Sequence, residues 1–159
     1  MGRAIALINN VSYPTTDFAV PEYTAAQTPV WSFDDTTDES IDFYMVLTTA
    51  YSGGDLKVIV PWTLKTWVTS TTVDWEVSIA RIRDDADPIT SLTFATAQTV
   101  IDTVAGTAGE TSHAEITFTA SQFDDIAIGD QFCLRLTRDA SGGTASGDAL
   151  AMVPYVENA

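Results

Sequence analysis

From Trp31 onward, apolar residues recur at every second position, the spacing of a strand with one buried face. In SIDFYMVLT, Ile41, Phe43, Met45 and Leu47 share one face, while Tyr44 and Val46 point to partial cover on the other. In LKVIVPWTL, Leu56, Val58, Val60, Trp62 and Leu64 alternate with Lys57, Ile59, Pro61 and Thr63. Pro61 has no N–H for a ladder hydrogen bond, so an edge or a bulge is predicted there. VDWEVSIARI sets Val73, Trp75, Val77 and Ile79 against Asp74, Glu76, Ser78 and Ala80. SLTFATAQTVID holds one or two more short strands, and HAEITFTA, DQFCLRLTR and ALAMVPYVE one each. Between them lie SGGD at 52–55, DDADP at 84–88, GTAGETS at 106–112, IGD at 128–130 and SGGTASGD at 141–148. Each supplies Gly, Asp or Pro where the backbone must reverse. Only TASQFDDIAIGD has helical spacing, enough for one turn capped by Ser121 with Phe123 and Ile126 pointing inward.

The pattern predicts an all-β chain: a jelly-roll-like antiparallel β-sandwich of two sheets over residues 30–159. Its core should hold Phe43, Met45, Leu47, Val58, Val60, Trp75, Val77, Ile79, Ile116, Phe118, Phe132, Leu134 and Leu136. Residues 1–29 differ. Pro14, Pro21 and Pro29 interrupt them, and only Ala4 to Ile8 could form a short strand. They read as an extended N-terminal arm. Ile5, Leu7, Ile8, Val11, Tyr13, Phe18, Val20 and Tyr23 make that arm too apolar to stay solvated, so these are candidate partner-binding residues.

Charge narrows the partners. Seven basic residues face 22 acidic ones in 159, a net charge of -15, which opposes binding to nucleic acid or an anionic membrane. With 45% hydrophobic residues, a packed core is expected rather than global disorder. The apolar run in MGRAIALINN is too short for a secretory signal, and no run reaches membrane-spanning length. Cys133 is the single cysteine, so an intramolecular disulfide is excluded, and its strand pattern points to a buried thiol.

Little catalytic chemistry is on offer. His113 is the only histidine, with no GxSxG elbow beside it, and Lys57 and Lys65 are the only lysines, with no phosphate-binding loop. No catalytic residue is assigned, and the chain reads as a non-enzyme. Three acidic clusters fall in turns: Asp34, Asp35, Asp38 and Glu39; then Asp84, Asp85 and Asp87; then Asp124, Asp125 and Asp130. Calcium takes carboxylate oxygens in such loops, and the first cluster is the candidate metal site. The plainer reading is solvated turn acids, with no cofactor required. Trp62 and Trp75 share the phase of core residues, whereas Trp67 breaks phase near a loop and is the candidate glycan contact.

The order of features resembles that of single-domain jelly-roll structural proteins of tailed bacteriophages, found as capsid decoration or fibre components. The resemblance rests on WSFDDTTDESIDFYMVL, YSGGDLKVIVPW, VDWEVSIARI and IGDQFCLRLTRDASGGTASGDALAMVPYVE, covering about Trp31 to Glu157. It implies a virion location. The expected function is a cement or decoration subunit bound to the major capsid protein or another virion protein, with a homotrimer as a possible assembly. The alternative is a glycan-binding or receptor-binding module of a phage fibre.

Overall fold

The period-two alternation builds two antiparallel sheets that press their apolar faces together. The computed structural model describes residues 6–83 and 85–159, with side chains from residue 10 onward. Among the described residues the chain forms eleven strands and no helix. They are β1 (Ala6–Ser12), β2 (Val20–Tyr23), β3 (Pro29–Phe33), β4 (Glu39–Leu47), β5 (Leu56–Leu64) and β6 (Thr72–Ile82). Then come β7 (Gln98–Thr103), β8 (Ser112–Phe118), β9 (Gln131–Asp139), β10 (Ala149–Ala151) and β11 (Tyr155–Asn158).

One sheet has five strands in the order β1-β4-β9-β6-β7. The other has six in the order β11-β5-β10-β3-β2, with β8 on the far side of β5. Successive strands from β3 to β6 change sheet at every turn, so β9 can insert between β4 and β6. This sheet-to-sheet winding is that of a jelly roll. All thirteen residues expected in the core are buried there. Aromatic rings lock the layers edge to face: Trp62 meets Trp75 at 5.9 Å between centroids, and Phe33 meets Trp75 at 5.1 Å. The Trp62 indole N–H donates to Asp102 Oδ2 at 2.7 Å, tying β5 of one sheet to β7 of the other.

Three local expectations change in detail. Pro61 lies inside β5, not at an edge. It falls where the neighbouring strand switches from β11, paired to 56–59, to β10, paired to 62–64. Its carbonyl still accepts Met152 N–H at 2.9 Å, and the missing N–H costs no ladder bond at that gap. The single turn at 119–126 is capped by Thr119 and Gln122 rather than Ser121, and left-handed φ values at Asp124 (56°) and Asp125 (48°) end it. Phe123 and Ile126 are buried as expected. SLTFATAQTVID yields one strand, β7.

The larger difference is the arm. Ile5 lies outside the described residues. From Ala6 onward, β1 pairs antiparallel with β4, from Ala6 opposite Leu47 to Ser12 opposite Asp42. β2 pairs with β3, Val20 opposite Ser32 and Tyr23 opposite Pro29. Between them a parallel bridge joins Phe18 to Ser40. Residues 6–23 therefore extend both sheets at one side of the sandwich instead of leaving the domain. A backbone edge recruits strands through main-chain bonds, so a segment with no clear side-chain alternation can still be a strand. A chain beginning at residue 13 should melt lower than the full chain by about 5–10 °C. An unchanged melting temperature would show that β1 adds nothing to the fold.

Candidate functional site

Along β9, Phe132, Leu134 and Leu136 point inward, and Arg138 keeps the same phase. A guanidinium is thereby placed on the core side at one end of the sandwich, only 3% exposed. Burial disfavours its charge unless donors and counter-charges are supplied. Its Nη1 donates to the carbonyls of Phe33 (3.0 Å) and Gly147 (2.9 Å), and Nη2 to that of Ala145 (3.1 Å). Burial pulls the Arg138 pKa down, while the charges of Asp35, Asp148, Asp34 and Glu39 hold it up.

This explains the acidic turn. Asp34 Oδ1 accepts the N–H groups of Thr36 (2.7 Å) and Thr37 (3.0 Å) and the Thr36 hydroxyl, which lowers its pKa. Glu39 Oε2 accepts Asp34 N–H at 2.8 Å, and burial raises the Glu39 pKa. Asp35 Oδ2 accepts Gly147 N–H, and Asp38 Oδ1 accepts Ala140 N–H at 2.9 Å. Asp35 and Asp38 clasp the β3–β4 turn to the β9–β10 loop, while Asp34 and Glu39 brace the turn itself. Asp148, not foreseen from the sequence, joins them: one oxygen each of Asp34, Asp35 and Asp148 lie within 4.8 Å of one another. A cation could bridge that spacing. However, Asp148 Oδ2 already meets Lys65 Nζ at 3.5 Å and the Ser32 hydroxyl at 3.2 Å. Arg138 behind and Lys65 in front supply the positive charge.

The richest surface lies elsewhere, on the outward face of the five-stranded sheet. A cleft of about 750 Å³ opens there between residues 12–17, after β1, and residues 89–94, after β6. Its floor is made by outward positions of β4 and β9. Arg135 grips Asp42 bidentately, Nε to Oδ1 at 2.7 Å and Nη2 to Oδ2 at 2.9 Å. This pairing raises the Arg135 pKa. Phe94 lies against the guanidinium at 4.2 Å from the ring centroid. One row away, the hydroxyls of Ser40 and Thr137 bond at 2.8 Å, and Tyr44 continues the floor. Tyr13, 44% exposed, forms one wall and meets Phe18 edge to face at 5.6 Å. That wall is fixed in place, since Ser40 N–H donates to Asp17 O (3.0 Å) and Ala19 N–H to Ser40 O (3.1 Å).

The remaining expected site residues scatter. Phe18, Val20 and Tyr23 are exposed like Tyr13, and Val11 packs on the core; the side chains of Leu7 and Ile8 lie outside the described residues. Tyr23 borders a second, more apolar slot of about 570 Å³ with Val30, Leu150 and Met152 on the outer face of the six-stranded sheet. Trp67 is half-buried against the core, its N–H donated to Ala105 O at 2.9 Å, and it does not line the cleft. The other acid clusters are tied to arginines. Asp87 chelates Arg83, and the Arg83 guanidinium lowers its pKa to about 2. Asp130 pairs with Arg81, and Asp124 accepts Arg81 N–H at 2.9 Å. Asp84 lies outside the described residues. His113 is exposed within β8. Cys133 is buried, and burial pushes its thiol up to about 12. The strongest missed signals were Arg138 in a core phase and the Asp42–Arg135 pair on adjoining strands.

No family model matches the chain, and no curated protein matches it. Solved structures of similar architecture include the following two. One is the crystal structure of CBM28, a non-crystalline cellulose specific carbohydrate-binding module, at 11% identity and TM-score 0.49 over 94% of this chain and 88% of that one. The other is the enzymatically active domain of bacteriophage CBA120 tailspike protein 4, at 8% identity and TM-score 0.41. That match covers 99% of this chain but 18% of the tailspike chain.

Replacing Arg138 with Met should cost about 3–5 kcal/mol in urea unfolding, because three carbonyls and the acid shell lose their cation. A loss below about 1 kcal/mol would refute the clasp. Asp74, outward on β6, makes a pH prediction. Burial first, and then the charge of Asp139, raises its pKa above 3.8. The stability tied to Asp74 is therefore full below the unfolded pKa and lost as pH rises through the folded one. Asp74→Asn should raise the melting temperature near about pH 7 and leave it unchanged near about pH 3.

Proposed function

We propose that the domain is a non-enzymatic glycan-binding module of a phage fibre, holding sugar in the cleft between residues 12–17 and 89–94. The floor of that cleft carries the reading. A sugar ring has apolar C–H faces and a rim of paired hydroxyls. An exposed ring such as Tyr13 suits the first, and a planar carboxylate–guanidinium pair such as Asp42–Arg135 suits the second. Ser40, held by the Thr137 hydroxyl, and Tyr44 add hydroxyls on rigid strands, so little is left to order on binding. Asp42 is held at both oxygens by Arg135, which favours recognition over acid or nucleophilic chemistry.

The fibre location rests on the resemblance in motif order. The capsid-cement alternative drew its support from a free arm, and residues 6–23 are spent in the two sheets, so the fibre reading is preferred. No cofactor is invoked. Since Arg138 already balances the acid trio and Lys65, paired with Glu22 at 2.9 Å, also reaches Asp148, calcium and chelator should each leave the melting temperature unchanged. A calcium stabilisation of about 2 kcal/mol or more would overturn that point.

Screening against immobilised glycans should find binding at about millimolar or tighter, the range of a shallow preformed site. Tyr13→Ala should weaken it by about tenfold, the loss of one stacking contact. Binding undisturbed by Tyr13→Ala and by Arg135→Ala would place the sugar elsewhere.

A further inference from the structure

The cleft has a charge of its own. Its walls carry three carboxylates, Asp17, Asp38 and Asp42, against one guanidinium, Arg135. The charge of Arg135 is balanced by Asp42, and one face of its guanidinium is stacked on Phe94. Asp17 and Asp38 are exposed and have no cation among the cleft residues. Along the same outward face, β6 and β9 add Asp74, Glu76 and Asp139, with Asp74 directly opposite Asp139 in register. Burial and mutual repulsion already raise the pKa of Asp74 and Glu76, so this face is crowded with negative charge. The whole chain, at -15, adds to the field.

A ligand entering this cleft meets that field before it meets the floor. A uronate or sulfated sugar would set its anion beside Asp17 and Asp38, and among the described residues no free guanidinium or ammonium lines the cleft to receive it. A neutral sugar would be accepted on stacking and hydroxyl bonds alone. An ammonium on the ring would gain one or two ion pairs at the exposed rim, each modest and screened by salt. We infer that the cleft selects glycans bearing free amines, tolerates neutral ones and rejects anionic ones. This rests on the glycan-binding reading and assigns its ligand class.

The test is calorimetric titration of the full chain at low salt with oligomers of matched length: glucose, glucosamine with free amines, and glucuronate. The glucosamine oligomer should bind about tenfold tighter than the glucose oligomer, the sum of two rim ion pairs, and the glucuronate oligomer should not bind. The preference should shrink to within about twofold at about 0.5 M salt and in the Asp17→Asn/Asp38→Asn double variant. Tyr13→Ala keeps every charge, and in it glucosamine binding should fall alongside glucose binding. If none of the three oligomers binds, the glycan-binding reading itself fails. If glucose and glucosamine bind alike, or glucuronate binds as tightly, the module binds glycans but the inference is overturned. It is overturned too if the amine preference survives in the double variant. Glucosamine binding that survives Tyr13→Ala would mark general attraction to an acidic protein, and that also overturns it.

Discussion

A single buried cation organises one end of this sandwich. Arg138 follows the inward phase of β9, so the strand delivers a guanidinium where an apolar residue would otherwise sit. Solvating that charge from within requires carbonyls and anions in fixed positions, and the chain supplies them from three separate segments. Phe33 comes from the end of β3, Ala145 and Gly147 from the β9–β10 loop, and the acids from the β3–β4 turn and Asp148. The loop is then pressed onto β6, where Thr144 N–H donates to Thr72 O at 2.9 Å. Gly143 passes so close that an added Cβ would lie 2.5 Å from Thr72 O, so only glycine fits.

The consequence reaches the outer face of the same sheet. Because the acidic turn is fixed, β4 begins at a defined residue, and its outward side chains Ser40, Asp42 and Tyr44 fall in register with Thr137, Arg135 and Cys133 of β9. That register makes the ion pair and the hydroxyl pair of the cleft floor. The loop after β1 is then hung on Ser40 by two backbone bonds, which carries Tyr13 and Asp17 to the wall. Asp38 belongs to both sets of acids: its Oδ1 accepts Ala140 N–H in the clasp, and its side chain lines the cleft.

Much of the fold could be read from alternation alone, because a half-buried strand repeats its hydrophobicity every two residues and the core side chains obey it. β1 could be read only in part, in the short strand expected at Ala4–Ile8, and β2 not at all. ALINNVS and VPEY have no clean alternation, and edge strands are held by backbone bonds that carry no side-chain signature. The acidic turn is visible as composition but not as meaning, since its partner Arg138 lies about a hundred residues away along the chain. Asp42 and Arg135 were likewise invisible as a pair, because only the strand order, with β9 beside β4, brings them together. Trp67, whose break of phase suggested exposure, is half-buried with its indole N–H donated to Ala105 O, a bond that alternation cannot show.

The central claim is that the acids of the β3–β4 turn hold the fold while the outward face of β4 and β9 meets the ligand. Backbone amide shifts of the labelled full chain, followed while a bound glycan oligomer is titrated in, separate the two directly. The account predicts shifts confined to residues 12–17, 38–44, 89–94 and around Arg135, with residues 34–37 and 145–148 unmoved. Shifts centred on Asp34, Asp35 and Asp148, or on Tyr23, Leu150 and Met152 of the other sheet, would contradict it.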